Sequence, residues 1–92
     1  MSFRVEWIQR AVNELAHIWT DANSELRQRI TAAANKLDRE LGRNPYRISE
    51  ARSDDTEVRV LFVRPLGALI EIDLSKRTVK VAHVWRFRRH NE

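Results

Sequence analysis

Residues 3–19 read FRVEWIQRAVNELAHIW. Phe3, Val5 and Trp7 alternate with Arg4 and Glu6, the period of a half-buried strand over 3–8. The period then changes. Ala11, Leu15, Ile18 and Trp19 share one face of a helix, while Asn13, Glu14 and His17 lie off it. A strand feeding directly into an amphipathic helix at the start of a short chain points to a mixed architecture.

Thr20 to Asn23 is a short break, and Asp21 or Asn23 can cap the next helix by accepting a backbone N–H. That helix is expected to run to about Leu41. Its apolar stripe is Leu26, Ile30, Ala33, Leu37 and Leu41, and its wet side holds Arg27, Gln28, Lys36, Arg39 and Glu40. Gly42 is expected to end it, and Pro45 to prevent its resumption. The short break makes the two helices a hairpin.

From Arg47 the period is two. A short edge strand is expected over 47–52, then a polar turn at 53–56. A stronger strand follows over 57–64, with Val58, Val60 and Phe62 on one side and Arg59, Leu61 and Val63 on the other. After a turn at Pro65–Gly67 comes a strand over 68–74 with Ala68, Ile70, Ile72 and Leu74 inward. The last strand, 78–87, should place Val79, Val81, His83, Trp85 and Phe87 on one side, with Lys80, Ala82, Val84, Arg86 and Arg88 on the other. The expected class is α+β: a strand, a helical hairpin, then three or four antiparallel strands covered on one face.

Ninety-two residues make one domain, 1–92, and 42% apolar with 33% charged residues is ordinary globular composition. No Cys is present, which removes disulfides and thiolate metal sites. No apolar run approaches the ~20 residues of a membrane helix, and the charged first residues do not read as a signal peptide, so a cytoplasmic protein is expected. The net charge of +4 is concentrated. Residues 1–45 carry seven bases and six acids, but residues 76–92, KRTVKVAHVWRFRRHNE, carry six bases and one acid. A basic, aromatic strand end of this kind suits a surface that grips RNA phosphates and bases.

The order of elements over about ninety residues resembles the RelE/ParE superfamily of bacterial toxins. FRVEWIQRAVNELAHI is similar to its opening strand and helix, and Tyr46-Arg47 before a strand to its helix-to-sheet junction. EVRVLFV, with Arg59 between Val58 and Val60, resembles its central strand, and VKVAHVWRFRR its closing one. The resemblance implies the toxin of a type II toxin–antitoxin pair, neutralised by a cognate antitoxin that wraps it. One branch of the superfamily cleaves mRNA in the ribosomal A site, and another poisons DNA gyrase. Neither uses a metal or organic cofactor.

Metal-free RNA cleavage has to deprotonate a 2′-OH, stabilise a phosphorane-like transition state and protonate a leaving 5′-oxygen. Arginine suits the second task because its planar fork meets phosphate bidentately. Arg59 is the first candidate; the alternative is a cross-strand partner for Glu71 or Asp73. Arg86 and Arg88, on one face with Lys80, could line a basic concavity with Arg59, or be solvated strand-end charges. Arg52 and Arg64 flank the same sheet, and Arg89 lies in the tail. His83 is the best titrating group, since imidazole changes charge near neutral pH; the alternative is a packed core histidine. His90 lies in the tail, and His17 on a wet helix face. Trp85 and Phe87 could stack on bases, although aromatics at strand period are more often core. Trp7 and Trp19 read as core.

One departure from the family stands out. Its RNA-cleaving branch often has a Tyr near the C-terminus for proton transfer, whereas the only Tyr here is Tyr46. His83 or His90 would have to take that role. The leading expectation is a ribosome-dependent mRNA endoribonuclease, with a cognate antitoxin, the ribosome and mRNA as partners. The alternatives are a gyrase inhibitor and a fold that has lost toxicity. The antitoxin is expected on the sheet edge and the grooves of the helical hairpin.

Overall fold

The computed structural model describes residues 2–52 and 55–87, with the backbone alone at 55 and 56. The elements run β1 (Arg4–Trp7), α1 (Gln9–Thr20), α2 (Ser24–Arg43), α3 (Pro45–Ile48), β2 (Glu50–Arg52), β3 (Asp55–Val63), β4 (Leu66–Asp73) and β5 (Thr78–Arg86). They form one five-stranded sheet in the order β1-β5-β4-β3-β2. β2 to β5 are antiparallel neighbours, and β1 lies parallel to β5 at the edge. The expected α+β architecture is present. The first strand, far from the others in sequence, pairs with the last, because the two helices intervene and return the chain to the same sheet.

The helices cover one face. α2 lays Ile30, Ala33, Leu37 and Leu41 on Leu61, Ala68, Ile70, Ile72, Val79 and Val81, all nearly inaccessible to solvent. Every residue of the expected α2 stripe except Leu26, which is half-buried, is fully in this core. α2 starts where Asn23 Oδ1 accepts the Leu26 N–H at 2.9 Å, which satisfies one of the four free N–H groups of a first turn. β1 is tied to the same helix by the Trp7 Nε1–H, which donates to Asp38 Oδ1 at 2.6 Å.

Several expectations need correction. Gly42 does not end α2; the helix continues to Arg43, and the chain leaves it at Asn44. Pro45 starts a new helix, α3, because the first helical position needs no N–H, and Asn44 Oδ1 caps it by accepting the Tyr46 N–H. Trp19 is 42% exposed; its outer ring face is covered by the Arg27 guanidinium at 4.3 Å, which also donates to the Trp19 and Thr20 carbonyls. Leu74, expected inward, is 56% exposed at the β4–β5 turn. The turn before β4 is Arg64–Pro65, so Leu66 and Gly67 already belong to the strand.

The correction that moves the site lies in β5. Between Leu69 and Ile70 the ladder to β5 skips a residue: Ile70 pairs with Val81, and Leu69 with His83. Ala82 is therefore a bulge, which shifts the alternation by one. Before it, Val79 and Val81 face the helices. After it, Val84 and Arg86 do, opposite the buried Ala68 and Leu66. His83, Trp85 and Phe87 turn to the other face, where no helix packs among the described residues.

Candidate functional site on the open sheet face

The open face has two ends of different chemistry. At one end Arg4, Glu6, Glu71, Asp73, Lys76 and Lys80 line a polar depression. Lys80 sits in register between Glu6 and Glu71. Acids thus surround the lysine that was expected in a basic concavity.

At the other end, Arg52 of β2, Val60 of β3, Leu69 of β4, and His83 and Trp85 of β5 line a concavity of about 470 Å³, closed on one side by Glu14 of α1. The register explains the meeting: Glu50, Val60, Leu69 and His83 form one row across four strands. Residues far apart in sequence become neighbours because same-face positions of adjacent strands lie about 5 Å apart.

Trp85 owes its position to Gly67, its partner on β4. A Cβ at Gly67 would lie 2.5 Å from the indole, so the ring lies flat across a strand that has no side chain there. Phe62 meets Trp85 edge to face, with ring centroids 6.2 Å apart, and Phe87 at 4.7 Å. Phe62 is 52% and Trp85 37% exposed. Trp85 and Phe87 are thus part of an outward aromatic cluster, not of the core. This geometry suits stacking on a planar base.

His83 is half-buried, with its Nδ1 3.5 Å from Glu14 Oε2. Glu14 Oε1 accepts the Val84 N–H at 3.1 Å. The imidazole of His83 has no other hydrogen bond or ion pair among the described residues. Glu14 carried no signal in the sequence beyond lying off the apolar face of α1; only its approach to the bulged strand singles it out.

Arg59 and Arg86 are elsewhere. Arg59 faces the helix side, in register with the buried Ile70 and not with Glu71 or Asp73. Its Nε donates to Ser49 Oγ and its Nη2 to the Ser49 carbonyl, both at 2.6 Å, and its guanidinium lies 5.2 Å over the Tyr46 ring. The fork expected to meet phosphate is engaged by the backbone corner between α3 and β2. Arg86 also faces the helix side, in a groove with Arg10, Asn13 and His17 of α1, and its buried Nε has no partner among the described residues. Arg64 stands at the β3–β4 turn beside Arg29 and Lys36 of α2. The bulge and the sheet order therefore keep Arg59, Arg86 and Lys80 apart. Arg88, Arg89 and His90 lie outside the described residues.

Among the described residues no cluster of His, Asp and Glu could hold a metal ion, and no helix is long and apolar enough to cross a membrane.

No model of a known protein family matches this sequence, and no curated protein matches it. Solved structures do. A chain of the Mycobacterium tuberculosis toxin–antitoxin complex RelBE2 is 18% identical, with a TM-score of 0.71 over 94% of this chain and 99% of that one. A chain of the Pseudomonas aeruginosa chromosomal ParDE system is 14% identical, with a TM-score of 0.70 over 95% and 98%. The isolated Escherichia coli RelE toxin is 21% identical, with a TM-score of 0.63 over 96% and 87%. The expected resemblance is thus realised in three dimensions, and the chain has the fold shared by RelE and ParE toxins.

Proposed function

We propose that this chain is the toxin of a type II toxin–antitoxin pair and that it cleaves mRNA on the ribosome at the open-face concavity. The observation that carries the reading is the meeting of His83, Arg52 and Trp85 in one half-open site. Arg52 supplies a permanent cation for the scissile phosphate, and Trp85 a face on which a base can stack. His83 accepts the 2′-OH proton. The 2′-oxygen then forms a bond to phosphorus as the bond to the 5′-oxygen breaks, and water protonates that oxygen. The products are a 2′,3′-cyclic phosphate and a 5′-hydroxyl. His83 thereby takes the place of the Tyr that the chain lacks near its C-terminus. The fold shared with toxins from RelBE and ParDE systems supports both the toxin role and an antitoxin partner.

The test is cleavage of an mRNA on programmed ribosomes, with 5′ ends mapped, for wild type, His83→Ala and Arg52→Ala. Cuts inside translated codons that both substitutions suppress are expected. Wild-type protein that leaves the mRNA intact overturns the reading.

A second reading, non-enzymatic inhibition of DNA gyrase, is favoured by one observation: Arg59 and Arg86 lie away from His83, which leaves few described cations for a phosphate. Growth arrest with a DNA-damage response and intact mRNA would select it.

A further inference from the structure

β1 ends at Trp7, opposite Val81, and the last rung beyond it is the Ile8 N–H donating to the Val81 carbonyl at 3.2 Å. Among the described residues no strand flanks β5 on that side from Ala82 onward. The Phe87 N–H donates to Pro65 on the β4 side, so alternation aims the N–H groups of Val84 and Arg86 at the open edge. α1 runs along this edge, and Glu14 closes it: its Oε1 accepts the Val84 N–H at 3.1 Å. The same carboxylate places its second oxygen 3.5 Å from His83 Nδ1. His83 is within reach only because the Ala82 bulge turns it away from the core.

A carboxylate fixed by a backbone donor on one oxygen presents the other in a set direction. Beside a neutral imidazole, that oxygen can accept only if Nδ1 carries the proton. Nε2 is then left with its lone pair, free to accept a proton from a substrate in the concavity. We propose that Glu14 is a positioning residue for His83, holding its ring orientation and its Nδ1–H tautomer. The inference rests on the nuclease reading above and adds to it the group that makes the histidine a base. A carboxylate also stabilises the imidazolium formed when the proton is taken, which lowers the barrier to the first step.

A purely structural role for Glu14, capping the edge of β5, makes a different prediction for Glu14→Gln. The amide oxygen can still accept the Val84 N–H, so the edge survives. The amide N–H₂ then faces His83 Nδ1 and favours the opposite tautomer, with Nε2 protonated and unable to act as a base.

The test combines two measurements on the purified full chain. The first is the imidazole ¹⁵N spectrum of wild type and Glu14→Gln, with His83 assigned by His83→Ala. The second is mRNA cleavage on programmed ribosomes by wild type, Glu14→Gln, His83→Ala and the double variant. We expect His83 as the Nδ1–H tautomer in wild type and as Nε2–H in Glu14→Gln. kcat should fall on the order of 100-fold with KM unchanged, and the double variant should be no slower than His83→Ala. If wild type cleaves and His83→Ala is impaired, but Glu14→Gln keeps the wild-type kcat or tautomer, Glu14 only caps the edge and the inference is overturned. If wild type does not cleave, the nuclease reading itself fails and takes the inference with it, a result visible before any substitution is made.

Discussion

Arg59 grips Ser49 twice, through the hydroxyl and the carbonyl, each at 2.6 Å. Ser49 is itself buried and donates its hydroxyl proton to the Pro45 carbonyl. One arginine thus ties the middle of β3 to the corner where α3 becomes β2. Arg59→Ala should leave Ser49 short of a charge-assisted partner and destabilise the fold by about 1–3 kcal/mol. That is a fall in Tm of very roughly 5–20 °C for a chain of this size. Arg59→Lys should recover little, since one ammonium cannot reproduce the planar fork. Thermal unfolding of the three proteins checks this, and an unchanged Tm in Arg59→Ala would refute the structural role.

The indole of Trp85 lies where a Gly67 side chain would be. Gly67→Ala is expected to push the ring off β4 and break its edge-to-face contact with Phe62. Stability should fall by about 1–3 kcal/mol, the usual range for overpacking, and the Trp85 indole resonance should shift in a proton–nitrogen spectrum. If Trp85 stacks on a base, the same variant should also weaken RNA binding.

α2 supplies the core stripe, and its first turn depends on Asn23. Asn23→Ala should cost about 1 kcal/mol and Asn23→Asp much less, because the acid keeps the acceptor and suits the positive end of the helix. Urea midpoints at constant slope would measure both. A loss confined to Asn23→Ala is the expected pattern.

At the β4–β5 turn Asp73 accepts the Ser75 hydroxyl at 2.6 Å and the Lys76 N–H at 3.1 Å. Chiefly the hydroxyl, and then the N–H, hold its carboxyl below the ordinary value. The folded chain therefore binds this proton less readily than the unfolded one. The contribution to stability is present above the unfolded value of about 3.9 and disappears as the pH falls through the lower folded value. Ser75→Ala should raise the Asp73 titration midpoint in a carboxyl NMR titration, and an unmoved midpoint would remove the hydroxyl as the main cause.

Much of the architecture was legible. The switch of period after Trp7, the α2 stripe and the alternation of β3 and β4 all rest on local patterns that burial of one face enforces. Trp19 and Leu74 broke the pattern for a local reason, since each stands at the end of its element, where the covering layer runs out. The candidate site was less legible. His83, Arg52 and Trp85 could be named as residue types suited to RNA chemistry, but Glu14 could not, because nothing in a helical wheel tells which strand edge a wet face will meet. Arg59 alternates with Val58 and Val60 as expected, but its side of β3 faces the helices and not an open concavity, and α3, whose corner holds it, starts at a proline expected only to end structure.

Hydrophobic period and capping residues act over a few positions, and they suffice for the α+β class, the order of the main helices and strands and most of the core, but not for α3 or for the exposure of Trp19 and Leu74. The face that His83 and Trp85 occupy depends instead on pairing between strands. In residues 81–85, VAHVW, both alternating sets contain apolar side chains, so neither register is excluded by burial along the strand alone. The bulge at Ala82 settles it by pairing across to β4, where Ala68 and Ile70 must both stay against the helices while Gly67 leaves room for an indole on the other side.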